Sequence, residues 1–251
     1  MKLPHNFMLF ADQRHQSKEL YDHSFINSLP PHFEPVLLHN FDFTLGWSLI
    51  ARHLPTLPRA LTRYQVDIYH SFTPTVPRTK VCPIVQTIHD LAFELDADVR
   101  RNPESRDLRQ LARLGANWAD RIIAVSSQTK VDVESLYHVP SANISVVYNG
   151  INPVFMPTNN PVLQDQICQK YHLPRTYVLA VGADIPRRNY GRMLEAMKMV
   201  WQTMPNCHLV VTGRAAWENT PLYRKAKDAN VLKNILFITS PTDAELAQFY
   251  R

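Results

Sequence analysis

The sequence predicts an α/β fold of parallel, doubly wound sheets in two domains, and three observations carry that prediction. From residue 66 onward, short β-branched runs alternate with longer helical patterns, the rhythm of a parallel sheet covered on both faces. Each run ends at polar or glycine residues, where the carboxyl ends of strands open onto a binding crevice. The rhythm breaks once, across Asn152 to Pro174, where Pro153, Pro157, Pro161 and Pro174 fall among Asn159 and Asn160, and then it starts again.

Taken in order, the first 65 residues are the least regular. NFMLFAD (6–12) and FEPVLLH (33–39) read as strands, and Leu45 to Tyr64 as a helix interrupted by Pro55 and Pro58. VDIYHSF (66–72), PIVQTIHD (83–90), RIIAVSS (121–127) and ISVVYNG (144–150) make the first sheet. Between them, Pro103 to Ala119 reads as a helix entered through Asn102, and Ser126 or Ser127 caps another that runs to about Tyr137. The prolines and asparagines after residue 152 read as a linker wrapped around a short helix. Three strand–helix units follow: YVLAVGA then Asn189 to Thr203, HLVVTG then Pro221 to Ala229, and ILFITS then Asp243 to Arg251. The expected domains are 1–155 and 175–251, joined by a linker at 156–174.

Composition narrows the class. Hydrophobic residues at 45% and charged residues at 20% match ordinary globular usage and argue against a disordered or fibrous chain. A net charge of +5 favours anionic partners such as sugar diphosphates or acidic lipid headgroups. Arg100, Arg101, Arg106, Arg109 and Arg113 are interleaved with Glu104 and Asp107, so they do not make a nucleic-acid face. Cys82, Cys168 and Cys207 are odd in number and far apart, which argues against a disulfide framework or a zinc site and for a cytoplasmic setting. No apolar run is long enough to span a bilayer, so any membrane contact is expected to be peripheral, at an acidic inner face. Only 6 residues are glycine, well below the usual share of about 7%.

Three segments could carry chemistry. In YVLAVGADIPRRN, a buried strand runs into Gly182 and then into Arg187 and Arg188 at the start of a helix. Arginines beside a helix N-terminus suit a diphosphate, with bidentate contacts and a permanent charge. The alternative is that both are solvated surface charges. His89 and Asp90, at the end of PIVQTIHD, could bind hydroxyls, the imidazole donating and the carboxylate orienting it. Alternatively His89 is a satisfied core residue and Asp90 caps the next turn. His70 is a similar candidate. Asn149 and Gly150 close ISVVYNG, where a glycine permits positive φ, or they form an ordinary turn. No metal-ligand spacing, Walker loop, G-x-G-x-x-G or G-x-S-x-G occurs.

Five pieces in order, TIHDLAF (87–93), residues 119–157, YVLAVGADIPRRN (177–189), HLVVTGRAAW (208–217) and TDAELAQFYR (242–251), resemble the retaining family-4 glycosyltransferases of the GT-B fold, in their mannosyltransferase-like branch. The resemblance covers about residues 66–251. It implies two Rossmann-like domains, the donor nucleotide held mainly by the second and the acceptor mainly by the first, with transfer between them. The reaction implied moves a hexose such as mannose from a nucleoside diphosphate sugar to a saccharide or lipid-linked acceptor. By position, Gly182, Arg187, Arg188, Asn149 and Gly150 fall on the donor side, while His89, with Asp90, faces the transferred sugar. The basic pair would stabilise the departing diphosphate, so neither a metal nor any other cofactor is expected.

Departures are visible. Arg188 stands where the family usually has Lys, and Asn152 where Asp often follows N-G-V. The family's N-terminal glycine-rich loop has no counterpart in the first 65 residues, which accounts for the low glycine count. The chain also ends at Arg251, before the segment expected to carry two glutamates separated by seven residues. These absences make the second domain read as incomplete and the chain as a fragment. They also keep open a second reading, a noncatalytic nucleotide-binding or interaction module.

Overall fold

The computed structural model describes residues 7–12, 33–38, 56–73, 76, 80–101, 103–157, 160–213 and 216–251. They fall into two compact units, 1–149 and 150–251.

In the first unit, β1 (Phe7–Asp12) pairs in parallel with β2 (Phe33–Leu38), Phe7 opposite Phe33. The N-terminal strands expected from the sequence are both present. Helix α1 (Thr56–Arg63) carries Pro58 in its first turn, where a missing N–H breaks no helical hydrogen bond. The expected earlier part of this helix, from Leu45, lies outside the described residues. Strands β3 (Tyr69–Ser71), β4 (Ile84–Ile88), β5 (Arg121–Ala124) and β6 (Ile144–Val146) form one parallel sheet in that order. Two single-turn helices, α2 (Ala92–Leu95) and α3 (Ala97–Arg100), lead from β4 to α4 (Pro103–Trp118), and α5 (Ser127–Tyr137) links β5 to β6. Ser126 caps α5, its Oγ accepting from the Thr129 amide at 3.0 Å. The core gathers Ile88, Ala112, Ala116, Ile122, Ala124, Val133, Tyr137 and Ile144. Strand β6 is shorter than the expected 144–150. Its partner β5 ends at Ala124, and after the Val147 amide bonds that residue's carbonyl at 3.0 Å, no further strand among the described residues pairs with it.

The second unit repeats the plan. Strands β7 (Tyr177–Val181), β8 (His208–Gly213) and β9 (Ile235–Thr239) lie in parallel in that order. Helices α6 (Pro161–Tyr171), α7 (Tyr190–Thr203), α8 (Pro221–Asp228) and α9 (Asp243–Phe249) cover them. The side chains of β8 alternate: Leu209 and Val211 meet Leu194, Met197, Leu222 and Ala226 of α7 and α8, while Val210 meets Ile167 of α6 and Phe249 of α9. Burial on both faces is why β8 reads as a continuous apolar run. Each covering helix starts at a side-chain cap, Asn160, Asn189, Thr220 or Thr242, the last in a reciprocal capping box with Glu245.

The stretch expected as a linker is packed against this second sheet. Gln164 Nε2 donates to the Gln248 carbonyl at 3.2 Å, Lys170 pairs with Glu245, and Arg251 donates to the Met156 carbonyl at 3.0 Å. Asn152 caps the 3₁₀ turn Pro153–Phe155, its Oδ1 accepting from Val154 at 3.1 Å. Its Nδ2 donates to Asp243 Oδ2 at 3.4 Å, a contact that an Asp at 152 would turn into two facing carboxylates. Among the described residues, no helix is long and apolar enough to cross a membrane.

Candidate functional site

The backbone after β7 is held closely on both sides. Gly182 sits at φ +118°, a region that side-chain-bearing residues rarely adopt. Its amide donates to the Thr212 carbonyl of β8 at 2.6 Å, and its carbonyl accepts from the Tyr190 hydroxyl at 2.7 Å. From the other side Gly213, at the end of β8, packs on the same peptide: a Cβ at Gly213 would lie 2.8 Å from the Gly182 carbonyl carbon. Two of the chain's six glycines thus let neighbouring strand ends touch.

Arg188 closes the loop. Its Nη1 donates to the Val181 carbonyl at 2.6 Å, and its guanidinium lies over Gly182, where a Cβ would be 2.2 Å from Cζ. A glycine at the end of a buried strand implies that something comes close to the backbone there. In this structure the group that needs the space is the guanidinium itself. One of its five N–H groups is used on Val181, and its planar fork keeps further donors for an anion. Arg187 is exposed on the same 3₁₀ turn, Pro186–Arg188. Asn189, at φ 51°, ends that turn and starts α7, its Oδ1 accepting from Arg192 at 3.4 Å. Asp184 Oδ2 accepts from the Leu222 amide at 2.7 Å, which ties the loop to the first turn of α8. The Ile185 amide turns back on the Ala183 carbonyl at 3.0 Å. The amides of Ala183 and Asp184 have no acceptor among the described residues. Two backbone N–H groups without an acceptor among the described residues and an exposed guanidinium thus belong to one loop, and these are donor types that an oxyanion takes.

The first-unit candidates are placed differently. His89 is exposed rather than a core histidine, and its carbonyl accepts from Thr129 Oγ1 at 3.4 Å. Asp90 Oδ1 accepts from the Ala92 amide at 2.9 Å, so this oxygen is committed to the turn that starts α2. His70 bonds Thr87 Oγ1 through Nε2 at 2.8 Å and stacks on Phe72 at 4.1 Å, and burial lowers its pKa toward the neutral ring. Asn149 and Gly150 are exposed. Gly150 does not take the positive φ that a glycine permits, and a Cβ there would meet nothing within 4 Å, so no close approach requires this glycine. Among the described residues, no three His, Cys, Asp or Glu side chains are grouped to hold a metal ion.

The sequence reading brings Gly182, Arg187 and Arg188 into one loop, as the structure does. It passes over Gly213, Asp184 and Tyr190. Gly213 had a legible signal: HLVVTG repeats the strand-then-glycine ending of YVLAVG in a chain short of glycine. Tyr190 had none, because its hydroxyl partner is set by how α7 packs.

Comparison with known proteins places the chain. Its residues 2–155 match the model of Glycosyltransferase Family 4, a match that takes in the first 65 residues, which the motif resemblance left out. It is 26% identical over 142 residues to the O-antigen chain mannosyltransferase RfbU of Salmonella typhimurium, covering 57% of this chain and 36% of that protein. Among solved structures, Anabaena HepE in complex with UDP and glucose superposes with a TM-score of 0.63 at 16% identity, over 96% of this chain and 62% of HepE. WaaG, a glycosyltransferase of lipopolysaccharide biosynthesis, does so with a TM-score of 0.61 at 16% identity, over 88% of this chain and 60% of WaaG. The chain thus spans only part of the length of these relatives, and the structural neighbours share its fold, α/β of the GT-B type. With more than half its residues fitting one family model and its fold agreeing, the chain belongs to Glycosyltransferase Family 4, a family of sugar-transferring enzymes.

Proposed function

We propose that this protein transfers a hexose from a nucleoside diphosphate sugar to a saccharide or lipid-linked acceptor, with retention at the sugar carbon. The observation that carries the reading is the loop after β7, which holds the Ala183 and Asp184 amides, without an acceptor among the described residues, together with the Arg188 guanidinium. A diphosphate fits: its oxygens accept from backbone N–H groups, and a fixed cation stabilises the charge that develops as the nucleoside diphosphate leaves. Arg187, on the same turn, adds to that field. The step asks no metal of these residues. His89, exposed at the end of β4, is assigned to a hydroxyl of the transferred sugar. HepE, captured with UDP and glucose, supports a nucleotide sugar as donor, and the likeness to RfbU makes mannose the first sugar to try. The net charge of +5 supports work at the acidic inner face of a membrane, from the cytoplasmic side.

Calorimetry with GDP and UDP tests the donor site. One of them should bind, and Arg188→Ala should weaken it about tenfold or more, the loss of a charge-assisted contact. Absence of binding to both, or equal binding by the variant, would overturn the assignment. Transfer itself is read as nucleoside diphosphate released from GDP-mannose or UDP-glucose in the presence of acceptor.

A further inference from the structure

We propose that Tyr190 is a positioning residue for the donor diphosphate: its hydroxyl, bonded to the Gly182 carbonyl, orients the Gly182–Ala183 peptide so that the Ala183 N–H faces the phosphate oxygens. This rests on the donor-site reading above and deepens it. Tyr190 is 4% exposed, with its ring in the core beside Leu194, Leu209 and Trp217. Such a position needs only an apolar ring, and a buried hydroxyl is costly unless partnered. The partner here is not the helix that carries the tyrosine but the loop at the end of β7, at 2.7 Å.

That one bond has leverage because of what lies on either side of it. A trans peptide is planar, with C=O and N–H antiparallel, so fixing the carbonyl direction fixes the amide direction. Gly182 on its own is the residue best able to let this peptide rotate. Gly213 closes the space behind the carbonyl, with a Cβ there only 2.9 Å from the Gly182 oxygen, and the Arg188 guanidinium lies over the Gly182 Cα. Tyr190 therefore anchors the carbonyl end of a peptide whose N–H end has no acceptor among the described residues. Burial pushes the Tyr190 hydroxyl pKa up, so it remains a donor throughout the physiological range.

Tyr190→Phe keeps the ring and removes only the tether. By calorimetry with GDP and UDP, the variant should bind the preferred nucleotide about five- to tenfold more weakly, the scale of one oriented hydrogen bond. The Ala183 amide resonance of the wild-type chain, followed by ¹⁵N NMR, should shift on adding the nucleotide, and that shift should shrink in the variant. A purely structural tyrosine would lower the unfolding midpoint and leave the Ala183 response intact. Wild-type affinity in Tyr190→Phe, or an Ala183 amide that does not move in the wild-type complex, overturns the proposal. The second measurement holds even if the variant folds poorly. If the wild type binds neither nucleotide, the donor-site reading falls and takes this one with it. If the wild type binds and Arg188→Ala weakens it while Tyr190→Phe does not, only the role of Tyr190 falls.

Discussion

Substituting Gly182 by Ala separates two reasons for a glycine at the end of β7. The added Cβ would lie 2.2 Å from Arg188 Cζ and 2.5 and 2.6 Å from its terminal nitrogens, on a backbone at φ +118°. The obstacle is the far end of a flexible side chain, so the clash is relieved when Arg188 leaves the Val181 carbonyl. The backbone strain has no such relief. Holding an L-residue in so sparsely populated a region costs about 1–3 kcal/mol, and losing the arginine's hydrogen bond adds about 0.5–1.5 kcal/mol. At about 2–4 °C per kcal/mol, the unfolding midpoint should fall by several degrees. The assay is thermal unfolding followed by circular dichroism for the wild type, Gly182→Ala, Arg188→Ala and the double variant. With Arg188 removed the Cβ has room, so Gly182→Ala should then cost only the strain, leaving a coupling of about 0.5–1.5 kcal/mol. An unchanged midpoint for Gly182→Ala, or strictly additive costs, would refute the packing argument.

Other consequences can be measured alongside. Gly213→Ala should destabilise more than Gly191→Ala, because its Cβ meets Gly182 backbone at 2.8 Å whereas that of Gly191 meets only the Lys225 ammonium at 3.0 Å. Urea unfolding would rank the two, and equal costs would contradict the distances. Asn152→Asp sets a carboxylate against Asp243, a contact now made by an amide at 3.4 Å. It should cost about 0.2–1 kcal/mol at neutral pH, and less in high salt. The ammonium of Lys170, with help from the Thr242 amide, holds the Glu245 carboxyl down at about 2, against an ordinary 4.5. Because the folded value lies below the unfolded one, this stabilisation is complete above about pH 4.5 and is lost as pH falls toward 2. Glu245→Gln should flatten the stability profile across that window, and an unchanged profile would show that the pair contributes nothing.

Much of the architecture was legible because it rests on local chemistry. Ser126, Asn189 and Thr242 are caps that can be read from residue type and spacing, and their helices start where those residues stand. The run LVV in β8 announced a strand buried on both faces. Strand ends were less legible. ISVVYNG carries β-forming residues past Ala124, the last residue of its neighbour β5, and strand length is decided by the partner. In the proline-rich stretch the expected short helix is α6, begun at Pro161, and its Ile167 packs on Val210 and Ile238 of the second sheet, a contact that spacing alone does not show.

The sequence by itself determined the α/β class, the order of elements, and the placing of Gly182, Arg187 and Arg188 in one loop, since all of these depend on periodicity, caps and adjacency along the chain. Only the tertiary structure decided that the Gly182 notch holds the Arg188 guanidinium, that Gly213 backs it, that Tyr190 and Asp184 tie the loop to α7 and α8, and that Gly150 needs no glycine. Those facts depend on which backbones approach across strands and which side chains reach over a turn. Distances of that kind arise between residues far apart in sequence, where residue type and spacing carry no record of them.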